Sequence, residues 1–243
     1  PSQVAWFLCK RFLPQFQSIT KRVNAKIRVG ASMVYGVAFF HSTKGDTQFC
    51  FLGQPKWFEQ RKVDWMCRDM PKLWRYNLHY FDYLHDPQRS FENKCCLITD
   101  WIQNNPPGTE DAWEPYTVSL RIVNWVKFFL FLNVANLEGG MERLPRREWV
   151  DSLYRQALWL EQHIEYHILA NHYLKNGVAL VFAGVYFEGV DADRWFRKGL
   201  RILREELREQ FLADGGHYER SPMYHSICVV DYLDVMTLVQ NSP

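Results

Sequence analysis

The 243-residue chain carries little net charge: 29 Lys and Arg stand against 27 Asp and Glu, a formal +2 with histidine neutral. Proteins organised around phosphate neutralisation are strongly basic, so no nucleic-acid partner is expected. No apolar run approaches the roughly 18 residues of a membrane helix. The nearest, residues 122–137, is broken by Asn124, Lys127, Asn133 and Asn136, so no membrane span is expected. The six cysteines, Cys9, Cys50, Cys67, Cys95, Cys96 and Cys228, form no CxxC pair. Adjacent cysteines such as Cys95 and Cys96 rarely bridge each other, which leaves scattered reduced or buried thiols as the plainer reading. GxSxG, GxGxxG and P-loop motifs are also missing, and no cofactor is expected.

Aromatic residues are abundant at 16% of the chain, with 10 Trp, 12 Tyr and 17 Phe. A large aromatic core accounts for most of them, although aromatic clefts also stack on flat ligands such as sugar rings or bases. The 47% apolar and 23% charged fractions are ordinary globular usage and exclude a mostly disordered chain. Both ends read as cut: the chain starts at Pro1 without Met, ends just after an apolar stretch, and shows no signal peptide.

Two regions are expected. Residues 1–70 form an N-terminal extension with short strands; Thr47–Leu52 reads as one strand, and Val34–Phe40 as a strand or a buried helix segment. Residues 71–243 read as helical, with helices over 92–104, 117–136, 146–167, 172–187, 192–212 and 222–239. Asp191 is a candidate N-cap for the fifth helix, and Ser221 with Pro222 a candidate start for the sixth. The fifth carries one apolar stripe, Trp195, Phe196, Leu200, Leu203, Leu207 and Phe211, on an otherwise charged surface. The second and fourth are apolar almost all round and so belong inside. Alternating buried and amphipathic helices predict a mainly α fold, a two-layer α/α toroid or solenoid. The absence of a fixed-period repeat weighs against a short-repeat solenoid.

The informative polar residues sit at helix starts: Asn171 and His172, then Glu219, Arg220, Ser221, Tyr224 and His225. Each has a plainer reading. Asn171 serves as an N-cap, Glu219 and Arg220 as an ion pair, and Tyr224 and His225 as half-buried core. His163 and His167 have metal-ligand spacing, but the HExxH order and a third ligand are missing, so no metal is expected. Asp111, Glu114, Asp214 and Glu219 could supply a hydrolase carboxylate pair, and no spacing selects one.

Four blocks together resemble the N-terminal helical domain of the heparinase II/III family of polysaccharide lyases, which is similar to some alginate lyases. They are residues 74–84 (WRYNLHYFDYL), 114–125 (EPYTVSLRIVNW), 171–177 (NHYLKNG) and 215–225 (GGHYERSPMYH). The resemblance implies an incomplete α/α toroid, truncated here, followed by a C-terminal β-sandwich domain absent from this chain. It implies β-elimination on an acidic, uronic-acid-containing polysaccharide: heparan sulfate-like, alginate-like or another bacterial polymer. The proton to be removed lies beside a carboxylate, whose charge must first be neutralised. In the family an Asn at an inner-helix start does this and matches Asn171; its His neighbour matches His172. A Tyr acting as base, as acid, or as both matches Tyr224. Tyrosine, with an ordinary pKa of about 10, needs nearby cations or donors for such work. Arg220, His225, His172 and Arg121 are candidates, and Arg121 could also clamp a substrate carboxylate. Tyr116, Trp113 and Trp125 are candidate sugar-stacking residues and Glu219 a further substrate contact, with core packing the alternative for the aromatics. The family draws a further catalytic His or Tyr from beyond this segment, so little turnover is expected from these residues alone. Family precedent suggests the periplasm or export, whereas unpaired cysteines lean toward a reducing compartment. An α/α-toroid glycoside hydrolase and a non-catalytic glycan-binding domain are the competing readings.

Overall fold

A computed structural model describes residues 25–31, 33, 45–58, 62–137, 144–168 and 170–242. Val34–Phe40, Cys9 and the glycine pair at 139–140 lie outside the described residues. Four short strands pair in two antiparallel ribbons. β1 (Lys26–Ile27) pairs with β4 (Phe187–Glu188), and β2 (Gln48–Phe51) with β3 (Gln54–Trp57) across the Leu52-Gly53 turn. The helices are α1 (Lys72–Tyr80), α2 (Phe91–Asn104), α3 (Pro115–Leu137), α4 (Arg147–Gln162), α5 (Ala170–Tyr186), α6 (Val190–Gln210) and α7 (Pro222–Gln240), with a 3-10 turn at Asp82–His85.

They form two layers. The inner row is α1, α3, α5 and α7, each packed on the next; α2, α4 and α6 lie outside. The inner helices earn their place by composition: Val118, Ile122, Trp125, Val126 and Phe129 of α3, and Val178 through Phe182 of α5, are buried on successive positions around the helix. α6 buries Ala192, Trp195, Ile202 and Leu203, while its charged face meets solvent; Leu207, expected on the buried stripe, is exposed. α5 and α6 approach closely because both carry glycine at the crossing. A Cβ on Gly199 would sit 2.6 Å from the Gly177 carbonyl oxygen, and one on Gly184 would sit 2.6 Å from the Phe196 nitrogen.

The second block folds into the core. Trp125 stacks edge-on to Trp101 (5.6 Å) and Phe81 (5.4 Å), and the Arg121 guanidinium lies 4.0 Å over Trp101. Several helix limits differ from expectation, two of them with a visible cause. α4 stops at Gln162 rather than running to 167, because His163 turns back: its N–H bonds the Leu160 carbonyl and its ring stacks on Trp159 at 3.9 Å. The next residues leave the helix and place Glu165 against α5. α6 starts at Val190 after Gly189 (φ +103°), so Asp191 lies in the first turn and accepts from the Tyr154 hydroxyl instead of capping. Ser221 does cap α7, accepting from the Tyr224 N–H at 3.4 Å. Among the described residues, no helix is long and apolar enough to cross a membrane.

Candidate active site

The starts of three of the inner helices, α3, α5 and α7, bring four of the expected site residues together. Tyr116 is the second residue of α3, Asn171 and His172 are the second and third of α5, and Tyr224 is the third of α7. Asn171 is inside the helix and so does not cap it. The Tyr116 and His172 rings are 4.4 Å apart, which ties α3 to α5. Cys228 Sγ, one turn beyond Tyr224, is 3.6 Å from Asn171 Oδ1, which ties α5 to α7. Burial raises the Tyr116 pKa, Lys175 opposes the rise, and Asp231, Glu165 and Tyr224 add smaller electrostatic contributions. Tyr80 completes the aromatic wall, edge-on to Tyr116 at 6.0 Å.

Behind this row stand polar residues that sequence reasoning missed. Glu165 is buried and held at two points by Asn176: its backbone N–H donates to Asn176 Oδ1 (2.9 Å) and its Oε2 accepts from Asn176 Nδ2 (3.2 Å). Its Oε1 is 3.0 Å from His172 Nδ1. Lys175, one turn below Asn171, donates to Asp231 at 2.7 Å in a buried ion pair. The carboxylate holds the ammonium on; burial pushes against it and also raises the Asp231 carboxyl. Parallel to this pair, Lys127 of α3 binds Asp234 of α7. On the α7 side, buried His217 accepts the Glu219 N–H through Nδ1 (3.3 Å). Its Nε2–H therefore donates to Gln210 Oε1 (3.1 Å), while its ring lies roughly parallel to that of Tyr224 at 6.4 Å. Cys228 donates to the same Gln210 oxygen at 3.2 Å. Signals existed: Glu165 sits between the two histidines read for metal spacing, Lys175 and His217 sit inside resembling blocks, and Cys228 and Asp231 follow Tyr224 at helical spacing.

Three expected substrate contacts are corrected. Arg121 is fully buried, its Nε donating to Gln156 Oε1 (2.8 Å) and its Nη1 to the His79 carbonyl (3.2 Å), so it braces the core and reaches no substrate. Trp125 is fully buried among aromatics, and Trp113 is buried with its indole N–H on the Asn105 carbonyl (3.0 Å); neither offers a face to a sugar. Glu219 and Arg220 are exposed, and Arg220 adopts φ +54° with its N–H on the His217 carbonyl. His225 is half-buried, edge-on to Phe211 at 5.6 Å. His163 and His167 do not share a helix face, because α4 ends before both; His163 Nδ1 meets the Trp159 carbonyl.

The sequence model of the heparinase II/III N-terminus matches residues 13–242. The chain belongs to the heparinase II/III family. It is 32% identical over 142 residues to a heparin-sulfate lyase of Pedobacter heparinus, covering 56% of this chain and 21% of that protein. It is 31% identical over 155 residues to a heparin-sulfate lyase of Bacteroides thetaiotaomicron, covering 59% and 21%. The chain thus spans about a fifth of the length of these relatives. Its fold is like that of a crystal structure of heparinase III, with a TM-score of 0.55 at 24% identity, covering 74% of this chain and 29% of that one.

Proposed function

We propose that this chain is the first part of the catalytic helical domain of a polysaccharide lyase that cleaves a uronic-acid-containing glycan by β-elimination. The observation that carries the reading is the meeting of Asn171, His172, Tyr116 and Tyr224 at three adjacent inner-helix N-termini. Helix N-termini favour anions, which suits a uronate. With Oδ1 turned toward Cys228, Asn171 keeps Nδ2 to donate to the substrate carboxylate. That bond offsets the charge which otherwise opposes loss of the adjacent proton. The C–H bond breaks, a C=C bond forms, and the glycosidic C–O bond breaks. Tyr224 is the group placed to take the proton, to return one to the leaving oxygen, or to do both. The reading places a further catalytic His or Tyr and a β-sandwich domain outside these residues. The carboxylates behind the row, Glu165 and Asp231, are already engaged by His172, Asn176 and Lys175, which speaks against a hydrolase pair.

The test is the full-length protein with heparan sulfate, alginate and other uronate polymers, followed by near-ultraviolet absorbance of the unsaturated product. A rise with one polymer, lost in folded Tyr224→Phe and Asn171→Ala variants, supports the lyase. No rise with any polymer overturns it.

A further inference from the structure

We infer that Glu165 is a positioning residue: it holds His172 as the Nδ1–H tautomer and leaves Nε2 as the nitrogen available to a substrate. The geometry is built for that purpose. Glu165 lies in the segment after α4, yet its carboxylate is buried and its position is set by Asn176 at both backbone and side chain. Asn176 is itself fixed, since its Nδ2 also donates to Ser119 Oγ (3.0 Å), which donates to the Pro115 carbonyl (2.8 Å). One carboxylate oxygen faces Asn176; the other faces His172 Nδ1 at 3.0 Å. A carboxylate only accepts, so the imidazole proton must sit on Nδ1. Tyr116, against the same ring at 4.4 Å, fixes its plane. Nε2 makes no hydrogen bond among the described residues, and the side chain is 39% exposed. The titratable groups gathered around this corner are Glu165, the Lys175–Asp231 pair and the Tyr116 and Tyr224 hydroxyls.

The consequence, which rests on the lyase reading, is a division of labour. In its neutral form, His172 so oriented presents a lone pair at Nε2, and a lone pair repels a carboxylate. Donation to the uronate carboxylate then falls to Asn171. In that form His172 accepts from a sugar hydroxyl.

Two measurements test this. Long-range proton–nitrogen correlation spectra of the full-length protein at alkaline pH, with the signal assigned by its loss in His172→Gln, read the tautomer directly. Nδ1–H is expected; Nε2–H overturns the inference, with no variant of Glu165 required. A double-mutant cycle on kcat/KM supplies the second readout. Glu165→Gln is expected to lower activity by about tenfold or more in the native background. In a His172→Ala background the same change is expected to cost less than about twofold. Equal losses in both backgrounds, or none in either, overturn it. An Nδ1–H tautomer in a protein that forms no unsaturated uronate would sink the lyase reading and leave the role of Glu165 in place. Active lyase with an Nε2–H tautomer would do the reverse.

Discussion

Stability should fall as pH drops from 7 to 5, and two histidines with lowered pKa values, His79 and His85, set the size of the fall. His79 is 1% exposed, its Nδ1 accepts from the Trp101 indole N–H at 3.0 Å, and burial, aided by the Arg121 charge, pulls its pKa from 6.5 to about 3. His85 is half-buried, but its Nε2 is closed to solvent, and burial with the nearby Lys127 charge pulls it down to about 3 as well. Both are bases with folded values below their unfolded ones. Their contribution is therefore complete above about pH 6.5 and is lost as pH falls toward 3. Each unit is worth about 1.4 kcal/mol per histidine. By pH 5 His79 alone costs about 2 kcal/mol and the pair about 4, a large part of a total stability of roughly 5–15 kcal/mol. For a chain of this size that lowers Tm by about 8–16 °C. Thermal and urea melts of wild type and His79→Gln at pH 7, 6 and 5 provide the assay. Glutamine keeps an acceptor for Trp101 and has no proton to gain, so the loss of stability between pH 7 and 5 should shrink by about half. Parallel pH profiles for wild type and variant would refute the reasoning.

Gly199→Ala should lower Tm by about 5 °C or more, because its Cβ meets backbone atoms of α5 and the clash outweighs about 1 kcal/mol of gained helix propensity; a variant as stable as wild type rejects the close helix approach. Asp231→Ala strands the buried Lys175 ammonium and should cost about 3–5 kcal/mol, most of it regained by adding Lys175→Met. A double variant less stable than the single, by urea melts, rejects that account. At neutral pH iodoacetamide should label exposed Cys96. Cys67 and Cys228, buried with thiols pushed up to about 11, should stay unlabelled until the protein unfolds, as peptide mass mapping would show.

Layering was legible because burial leaves a compositional mark. α3 and α5 are apolar all round, α6 is striped, and no rival architecture uses that alternation as simply. The overrun of α4 has a tertiary cause on top of helix-compatible chemistry at residues 163–167: the His163 ring turns back onto Trp159, and Glu165 reaches Asn176. The short β1–β4 pairing was invisible because two-residue strands carry no period to read.

The site was half legible, and depth along the inner helices decides which half. An arginine and a tryptophan beside a helix start look alike in sequence whether they line a cleft or fill a core. Tyr116, Asn171, His172 and Tyr224 occupy second or third positions of inner helices and keep partial exposure. Arg121 and Trp125, two and three turns into α3, are closed off entirely. Lys175 and Cys228, a single turn below Asn171 and Tyr224, are buried too. The partly exposed row is therefore about one helical turn deep. Below that turn the polar side chains hold one another: Asn176 fixes Glu165 at two points, and Glu165 meets His172.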